Sequence, residues 1–327
     1  MVALKGTKAS IACTVVTYNR DDFIETCIAS LLAAHSDTLD VTVIVINNGS
    51  PDGTTEVLKR YAPEDVTVIT NTQNVSLSRA LNQGIDAGFA AGTDYIALLN
   101  DDIEMRPGAL AELVAVAAEV EGAVVTPLQI NYRKPDELDG LMMKKVQGTP
   151  ELINDAVYRG EIKRYYAQPH GMIGAAQVAA RETYETIGYF DPLFRFYGAD
   201  NDYFTRATRL GRPLILATRA HMLHMHGRVS TTKALDRADW LRRWKSEFRG
   251  RQLMKLKFSD RSLPHTYLRL FARGFLDLPK HARRFGRAGA MATLSALFGL
   301  LGEYTTIRDR RSEERDRMAM VRGSAGS

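Results

Sequence analysis

The stretch Tyr95-Ile96-Ala97-Leu98-Leu99-Asn100-Asp101-Asp102 decides the fold, because a run of apolar residues stops at three polar side chains, two of them carboxylates. A continuous apolar run is typical of a strand that is buried on both faces of a parallel sheet. In an open α/β sheet, ligands bind at the carboxyl ends of such strands. Adjacent carboxylates repel each other unless a cation or hydrogen-bond donors compensate them, and their oxygens suit Mg²⁺ or Mn²⁺. A solvated acidic turn is the alternative interpretation.

The chain has the composition of a globular protein, but its charge is unevenly distributed. The 327 residues are 45% hydrophobic and 25% charged, which suits two domains or one domain with a large appendage. Residues 231–327 carry 22 Lys and Arg against 10 Asp and Glu, whereas residues 1–230 are acidic overall. A basic tail favours an anionic surface or a phosphate-rich ligand as partner, and we expect no nucleic acid.

The sequence predicts a cytoplasmic protein with reduced thiols. Cys13 and Cys27 lie in an apolar strand and on an apolar helix face, where thiols behave as small buried hydrophobes. Residues 1–10 have no apolar stretch after their lysines, so they do not resemble a signal peptide. The late apolar run, residues 288–302, falls short of the ~20 residues that span a bilayer, and we expect no transmembrane helix.

Strands and helices alternate along the first hundred residues, which predicts βαβ units and a mostly parallel sheet. The predicted strands cover residues 11–16, 41–46, 66–70, 95–99, 123–127, 171–178 and 214–217. The predicted helices cover residues 21–32, with Asp21 and Asp22 as cap and acidic first turn, and 55–61, 76–90, 109–120, 181–187 and 203–210, and basic helices follow from residue 231. The first hundred residues contain neither Gly-x-Gly-x-x-Gly nor Gly-x-x-x-x-Gly-Lys-Ser/Thr, which argues against a dinucleotide oxidoreductase and a P-loop NTPase.

Ordered motifs over roughly residues 11–230 give the chain a resemblance to the family 2 glycosyltransferases, which use nucleotide sugars and have the GT-A fold. The motifs are VVTYNR (residues 15–20), VINNGSPDGT (45–54), NVSLSRALNQG (74–84), LNDD (99–102) and GYFD (188–191) with DND (200–202). Within the family, the chain resembles bacterial rhamnosyl- and galactofuranosyl-type enzymes of the cell envelope. The resemblance implies an α/β, GT-A-type, Rossmann-like and mostly parallel sheet flanked by helices, followed by a helical C-terminal extension.

The resemblance also implies a division of labour along the chain. Residues 1–230 would form the glycosyltransferase domain, with a nucleotide-binding half (1–103) and an acceptor and catalytic half (104–230). Residues 231–327 would form the basic helical extension. The expected ligands are a nucleotide-diphosphate sugar, a divalent cation (Mn²⁺ or Mg²⁺) and a glycan or lipid-linked acceptor.

The same motifs imply roles for individual residues. Asp102 is the expected metal ligand, and Asp200 is the expected base that deprotonates the acceptor hydroxyl. His224 and His226 share one face of an extended strand, so they could complete the metal shell. Capping of the following helix by Asp200 is the alternative to its catalytic role. The expected donor contacts are Thr17, Tyr18, Asn19, Asn47, Asn82, Asn100 and Asp101.

Three positions depart from the family pattern. Asn47 replaces the usual Asp at the nucleoside, Asn100 replaces the first Asp of the metal motif, and Ala199 replaces the Glu that often precedes the catalytic Asp. We predict a metal-dependent glycosyltransferase, and the resemblance implies inversion. The alternatives are a nucleotidyltransferase, which usually has a Gly-rich basic loop that is absent here, and a non-catalytic module that binds sugar nucleotides or glycans.

The basic tail mixes aromatic and leucine residues with Arg and Lys between residues 263 and 304. Such a mixture suits an interfacial helix that binds anionic headgroups, which would make the protein peripheral at the inner face of the cell membrane. Packing on the catalytic domain or a homo-oligomer interface is the alternative.

Overall fold

The chain folds into two compact units. The computed structural model describes residues 8–132, 134–138, 163–168, 172, 174–225 and 237–324. The described residues within 1–192 and 203–228 form the first unit, here called the sheet unit, and those within 193–202 and 229–327 form the second, here called the helical unit. The sequence analysis did not anticipate that residues 193–202 belong with the C-terminal helices.

The described part of the sheet unit contains ten strands. They are β1 (Ala9–Thr17), β2 (Leu39–Asn47), β3 (Val66–Thr70), β4 (Tyr95–Asn100), β5 (Ile103–Met105), β6 (Val124–Asn131), β7 (Lys134–Leu138), β8 (Tyr165–Ala167), β9 (Ala176–Ala180) and β10 (Leu214–His224). They form one sheet in the order β3-β2-β1-β4-β9-β6-β10-β5, with β7 beside β6 and β8 beside β10.

The sheet is parallel where the sequence predicted it most directly and mixed elsewhere. Strand β1 runs parallel to β2 and β4, and β2 runs parallel to β3. Strand β9 runs antiparallel to both β4 and β6, while β6 and β10 are parallel. The second half of the sheet therefore departs from the simple βαβ pattern.

Six helices accompany the described strands, and three more follow them. The first six are α1 (Ile24–Leu32), α2 (Thr54–Leu58), α3 (Leu77–Ala90), α4 (Ala109–Glu119), α5 (Arg181–Ile187) and α6 (Ala199–Arg209). The boundary between the units falls within α6. The helical unit continues with α7 (Arg237–Phe258), α8 (Leu263–Gly302) and α9 (Tyr304–Ser324).

The core of the sheet unit explains why these elements form. Alternate residues of β1, among them Ile11 and Val15, are fully buried in one cluster with the apolar face of α1, including Ile28. On the other side of β1, Thr14 lies against α3, where a Cβ at Gly84 would overlap the threonine side chain. Complete burial of each aliphatic side chain contributes roughly 1.5–3 kcal/mol.

Both thiols lie in this core, as the sequence predicted. Cys13 and Cys27 are free and buried. Burial raises the pKa of Cys13 to about 12 and that of Cys27 well above its ordinary value. Both thiols are therefore protonated at neutral pH and poorly reactive, because the thiolate is the nucleophilic form.

Several elements of the structure differ from the prediction. The strand predicted at 171–178 is β9 at Ala176–Ala180, and β5 was not predicted because three residues show no period. Strand β10 continues to His224 through an irregularity between Ala217 and His221, where polar residues interrupt the apolar run. Helix α6 begins at Ala199 and not at Tyr203. The prediction placed the start too late because the polar first turn has the composition of a loop.

Helix α8 reverses direction at Gly286, which has φ 69° and ψ −166°. The Tyr267 hydroxyl donates to the Leu300 carbonyl at 2.7 Å, and His281 Nδ1 lies 3.0 Å from Thr293 Oγ1. In a straight helix, residues 267 and 300 would be about 50 Å apart at 1.5 Å per residue. The element is thus an antiparallel helical hairpin with arms 263–285 and 287–302.

By length and composition, α8 is the one helix in the described ranges that could cross a membrane, which is weak evidence. The hairpin weakens it further, since the arm 287–302 spans only ~24 Å and a hydrocarbon core is ~30 Å thick. One face of this arm, with Ala296 and Leu300, is buried within the helical unit.

Candidate functional site

The carboxyl ends of three neighbouring strands lie level with one another in the sheet unit. Thr17 at the end of β1 is in register with Asn47 at the end of β2, and Val16 is in register with Asn100 at the end of β4. Thr17 and Asn47 are fully buried, whereas Asn100 is partly exposed. The fold therefore brings together the strand-end residues that the sequence singled out.

The turn after β1 is fastened to the turn after β2. Asn19 has a left-handed backbone, with φ 58°, and its N–H donates to Ser50 Oγ at 3.1 Å. The N–H of Arg20 donates to Thr54 Oγ1 at 3.0 Å. Tyr18, between these anchors, keeps 42% of its surface exposed. The first turn thus presents a free aromatic ring on a fixed backbone.

The side chain of Asn47 shapes the turn that follows β2. Its Nδ2 donates to Thr55 Oγ1 at 2.9 Å, and its Oδ1 accepts from the Ser50 N–H at 3.1 Å. The amide thus supplies a donor and an acceptor to the turn, where the family pattern has a carboxylate. A donor contact through Asn47 remains a prediction.

Gly49 is the position in this turn where a side chain is excluded. Its φ is 75°, and a Cβ would lie 2.5 Å from the carbonyl carbon of Gln73 and 2.7 Å from its Cα. We expect Gly49→Ala to lower the free energy of unfolding by roughly 2–4 kcal/mol, because left-handed strain of about 1–2 kcal/mol adds to a backbone clash. Chemical denaturation measures the loss.

Gly92→Ala is the matched control for Gly49→Ala. Gly92 has a similar φ of 68°, but no atom lies within 4 Å of a Cβ built there. The control should therefore show the left-handed strain alone, about 1–2 kcal/mol. Equal losses at the two positions would contradict the close approach of the turn after β2 to Gln73.

Asp101 and Asp102 follow β4 and share the guanidinium of Arg20. Arg20 Nε lies 3.4 Å from Asp101 Oδ1, and Arg20 Nη2 lies 3.9 Å from Asp102 Oδ2. Both aspartates are 7% exposed. Burial raises the pKa of Asp101 to about 7, the neighbouring Asp102 also raises it, and Arg20 with hydrogen bonds from Thr17 and Tyr18 opposes the rise. Two adjacent buried carboxylates repel each other, so a nearby positive charge stabilises their ionised forms.

His224 reaches Asp102 from the far end of the sheet. It is the last residue of β10, and pairing with β5 sets it opposite Ile103, the residue after Asp102. Its Nε2 lies 3.5 Å from Asp102 Oδ1, and the Met225 N–H donates to the Asp102 carbonyl at 2.8 Å. The second predicted histidine ligand, His226, lies outside the described residues.

These residues fit a divalent cation in chemistry and spacing. A carboxylate oxygen and an imidazole nitrogen are ordinary ligands for Mn²⁺, and atoms 3.5 Å apart can ligate one ion. Within the described ranges, no group of three or more His, Cys, Asp or Glu side chains could hold a metal ion. Such a cation would therefore need further ligands, as is usual where one or two protein ligands share a cation with substrate phosphates.

The side chains of Asn82 and Arg206 form hydrogen bonds with backbone groups in and next to the GYFD motif. Asn82 Nδ2 donates to the Phe190 carbonyl at 2.9 Å, and Asn82 Oδ1 accepts from the Phe190 N–H at 2.8 Å. Arg206 is buried and donates to the carbonyls of Ile187 and Tyr189 at 2.6 and 2.9 Å. Both side chains hold the GYFD motif in place.

Asp200 lies in the helical unit, in the first turn of α6. Its Oδ1 accepts the N–H of Asn201 at 2.8 Å, and the residue is partly exposed. Acidic side chains are favourable in the first turn of a helix. Asp202, two residues later, is fully buried and pairs with Lys257 Nζ at 2.6 Å. The two aspartates of the DND motif therefore have different surroundings.

Sequence reasoning missed Arg20 and Lys257. Arg20 lies inside the first motif, so its place after β1 was a signal that it could reach the carboxylates after β4. Lys257 carries no such signal, since it is one of 22 basic residues in the tail. Only the folded structure shows which of these basic residues forms the ion pair with Asp202.

Comparisons with known proteins agree with this architecture. Residues 13–186 match the profile of the family described as "Glycosyl transferase family 2". The chain is 37% identical over 93 residues to the uncharacterized glycosyltransferase EpsJ of Bacillus subtilis (strain 168), an alignment that covers 26% of this chain and 26% of EpsJ. The chain thus spans about a quarter of the length of this curated relative.

Two solved structures share the fold at low sequence identity. The mannosyltransferase PcManGT from Pyrobaculum calidifontis, solved with GDP-Man and Mn²⁺, has a TM-score of 0.53 and 17% identity, covering 96% of this chain and 87% of that one. S. aureus TarS 1–349 has a TM-score of 0.51 and 13% identity, covering 97% and 91%. The likenesses confirm the expected α/β fold with a helical C-terminal extension.

The family match covers more than half of the chain and spans the strands and turns that carry Asn47, Asn100, Asp101 and Asp102. The chain therefore belongs to glycosyl transferase family 2.

Proposed function

We propose that this protein transfers a sugar from a nucleotide-diphosphate sugar to a hydroxyl of a glycan or lipid-linked acceptor, with the help of a divalent cation. The observation that carries the proposal is the buried pair Asp101 and Asp102 at the end of β4, with His224 Nε2 at 3.5 Å from Asp102. Together with membership of family 2, this donor set supports a cation-assisted transfer.

Asp102 and His224 are the proposed protein ligands of Mn²⁺ or Mg²⁺, and His226 is a further proposed ligand. When bound, the cation supplies positive charge to the departing diphosphate. Support comes from the chemistry of the two side chains and from PcManGT, whose structure was solved with Mn²⁺. Arg20 already compensates the two carboxylates, so it is placed to contact phosphate once another cation takes over that task.

The proposed donor site follows the level strand ends of the sheet unit. Its residues are Thr17, Tyr18, Asn19, Asn47, Asn100 and Asp101. The exposed ring of Tyr18 and the partly exposed Asn100 support direct contacts. Among the residues predicted to contact the nucleotide sugar, Asn82 has the least support, because its amide binds both the N–H and the carbonyl of Phe190.

Asp200 is the proposed general base of a single displacement that inverts the anomeric centre. Its carboxylate would take the proton of the acceptor hydroxyl as that oxygen attacks the anomeric carbon. Its partial exposure supports access by an acceptor, whereas the buried Asp202 is engaged with Lys257. No contact among the described residues specifically favours nucleotidyl transfer or a non-catalytic binding role.

Ligand-dependent stabilisation tests the proposed donor and cation together. UDP-, dTDP- and GDP-sugars would be added to the chain in MnCl₂ or in EDTA, and the melting temperature recorded. We expect one donor to stabilise the chain by about 2.7 kcal/mol at 100 times its Kd, with most of the gain lost in EDTA. ATP and the free sugar are the controls, and stabilisation by none of the nucleotide sugars would contradict the proposal.

The helical hairpin of α8 supports a peripheral place at the inner face of the cell membrane. Large apolar side chains are exposed on both arms, among them Leu276 at 76% and Phe298 at 55%, and the rings of Phe271 and Phe298 are in contact. Exposed basic residues lie among them, namely Arg269, Arg273, Lys280, Arg283 and Arg284. An anionic bilayer would accept both groups, and its cytoplasmic leaflet attracts each base by about 1 kcal/mol.

Vesicle sedimentation of the full chain tests this surface. We expect the chain to pellet with anionic vesicles at low salt, and Phe275→Ser/Leu276→Ser to remain in the supernatant, because apolar area entering the acyl boundary is lost. Met320→Ser removes an equally exposed apolar residue from α9 and is the matched control. Equal sedimentation of the wild type and both variants would contradict membrane binding through the exposed residues of α8. A change in oligomeric state of Phe275→Ser/Leu276→Ser would assign the surface to a homo-oligomer.

A further inference from the structure

The segment that carries Asp200, residues 193–202, is fastened to helix α7 at its beginning. Arg249 Nη1 donates to the Leu193 carbonyl at 2.8 Å. The same guanidinium binds both carboxylate oxygens of Glu303 at 2.5 and 2.6 Å, so its own orientation is fixed. Both contacts to Glu303 come from Nη2, and hydrogen bonds between ionised groups are shorter and stronger than those between neutral groups. The segment therefore starts from an anchored carbonyl.

The middle of the segment lies directly on the α7 backbone. A Cβ at Gly250 would overlap the Tyr197 carbonyl oxygen, and one at Gly198 would lie 3.0 Å from the Phe194 ring and 3.6 Å from the Gly250 Cα. Gly198 also has φ 93°, a conformation that side-chain-bearing residues rarely adopt. Glycine at both positions lets the two backbones approach this closely.

The end of the segment is held by a buried ion pair. Lys257 Nζ lies 2.6 Å from Asp202 Oδ1, and the two side chains are 5% and 0% exposed. The ammonium also lies over the rings of Phe194 and Phe258, at 5.7 and 5.4 Å from their centroids. A charge at such a site is retained only with a close partner, so the pair fixes the position of Asp202.

Asp200 shares the first helical turn of α6 with Asp202, so whatever fixes one aspartate limits the motion of the other. We propose that Lys257 is a positioning residue for the reaction: through Asp202 it holds the first turn of α6, and thereby the carboxylate of Asp200, in place within the helical unit. This inference rests on the proposed role of Asp200 as general base. It makes the basic tail a part of the catalytic support.

A neutral replacement of the ion pair separates positioning from folding. Asp202→Leu/Lys257→Met fills the same space without an uncompensated charge, and apolar replacements of buried pairs are often well tolerated. We expect this variant to keep the donor Kd and the melting temperature of the wild type, and to lose on the order of 10²-fold in kcat, since misplacement of a reacting group by ~1 Å has this effect. A wild-type kcat overturns the proposal.

Asp202→Asn gives a second test that does not depend on the double variant folding. The isosteric amide removes the negative charge and keeps the shape of the side chain, so the packing around it is preserved. The same loss of kcat at unchanged donor Kd is expected, and an unchanged kcat again overturns the proposal. Lys257→Arg keeps the positive charge and should retain most of the wild-type turnover. Lys59→Met removes an exposed lysine that pairs with Glu56 and should change neither kcat nor the donor Kd.

Asp200→Asn, assayed in parallel, distinguishes failure of the proposed general base from failure of the positioning role of Lys257. If Asp200→Asn turns over at the wild-type rate, the proposed base is wrong and with it the proposed function of this residue. If Asp200→Asn is inactive while the neutral pair is fully active, the base stands and the positioning role of Lys257 is wrong.

Discussion

Asp102→Asn is expected to lower kcat/KM by on the order of 10³-fold and to remove the stimulation of turnover by Mn²⁺ or Mg²⁺, because an amide cannot supply the ligand charge that holds the cation. The melting temperature should stay level or rise, since the change leaves Asp101 without a like-charged neighbour in a buried site. Turnover across a range of Mn²⁺ concentrations measures the first effect, and calorimetric titration of Mn²⁺ into the chain with donor present measures binding directly.

Asp40→Asn is the matched control for this substitution. Asp40 is also an aspartate of the sheet unit, but it lies near the start of β2, is exposed and pairs with Lys8 and His35. Its replacement should leave kcat/KM and the Mn²⁺ dependence unchanged. Full activity of the wild-type chain in EDTA, or a wild-type response of Asp102→Asn to Mn²⁺, would show that Asp102 is not a metal ligand.

Asp200→Asn is expected to lower kcat by about 10²–10⁴-fold, the usual contribution of a general base, with little change in donor Kd. The amide retains an oxygen that can accept the Asn201 N–H, as Asp200 Oδ1 does at 2.8 Å, so the first turn of α6 should persist. Single-turnover measurements with saturating donor isolate the chemical step, and calorimetry gives the donor Kd.

The control for Asp200→Asn is Asp309→Asn in the same unit. Asp309 is exposed on α9 and forms an ion pair with the adjacent Arg308. This variant should keep both the rate and the melting temperature. If Asp200→Asn instead lowered the melting temperature and kept its rate, the helix-end role considered at the sequence level would be the correct one.

The strands that build the donor side of the sheet could be predicted because each is a local pattern. Strand β3 was placed to the residue, and β1, β2 and β4 within two residues of their ends, since an apolar run bounded by polar turns is visible in the sequence alone. The position of Asp101 and Asp102 at a strand end followed directly. The surroundings of these aspartates did not.

Three features could not be read from local sequence patterns. The resemblance grouped His224 with Asp102, but the path that brings them together was not visible: β10 continues past polar residues and pairs with the three-residue strand β5. Lys257 meets Asp202 across 55 positions of sequence. The composition of residues 288–302 revealed an apolar helix but not its reversal, since a lone glycine such as Gly286 is compatible with a continuous helix.

The interleaving of the two units along the chain bears on exchange of parts between homologues. Residues 193–202 are encoded in the middle of the sequence, yet their ion pair and backbone anchors come from residues 249–303. A chimera that joined the first 230 residues of this chain to the tail of another family member would set Asp202 opposite a foreign residue at position 257. Inheritance of the two segments as a pair would preserve the match, so substitutions at positions 202 and 257 should be correlated among related sequences.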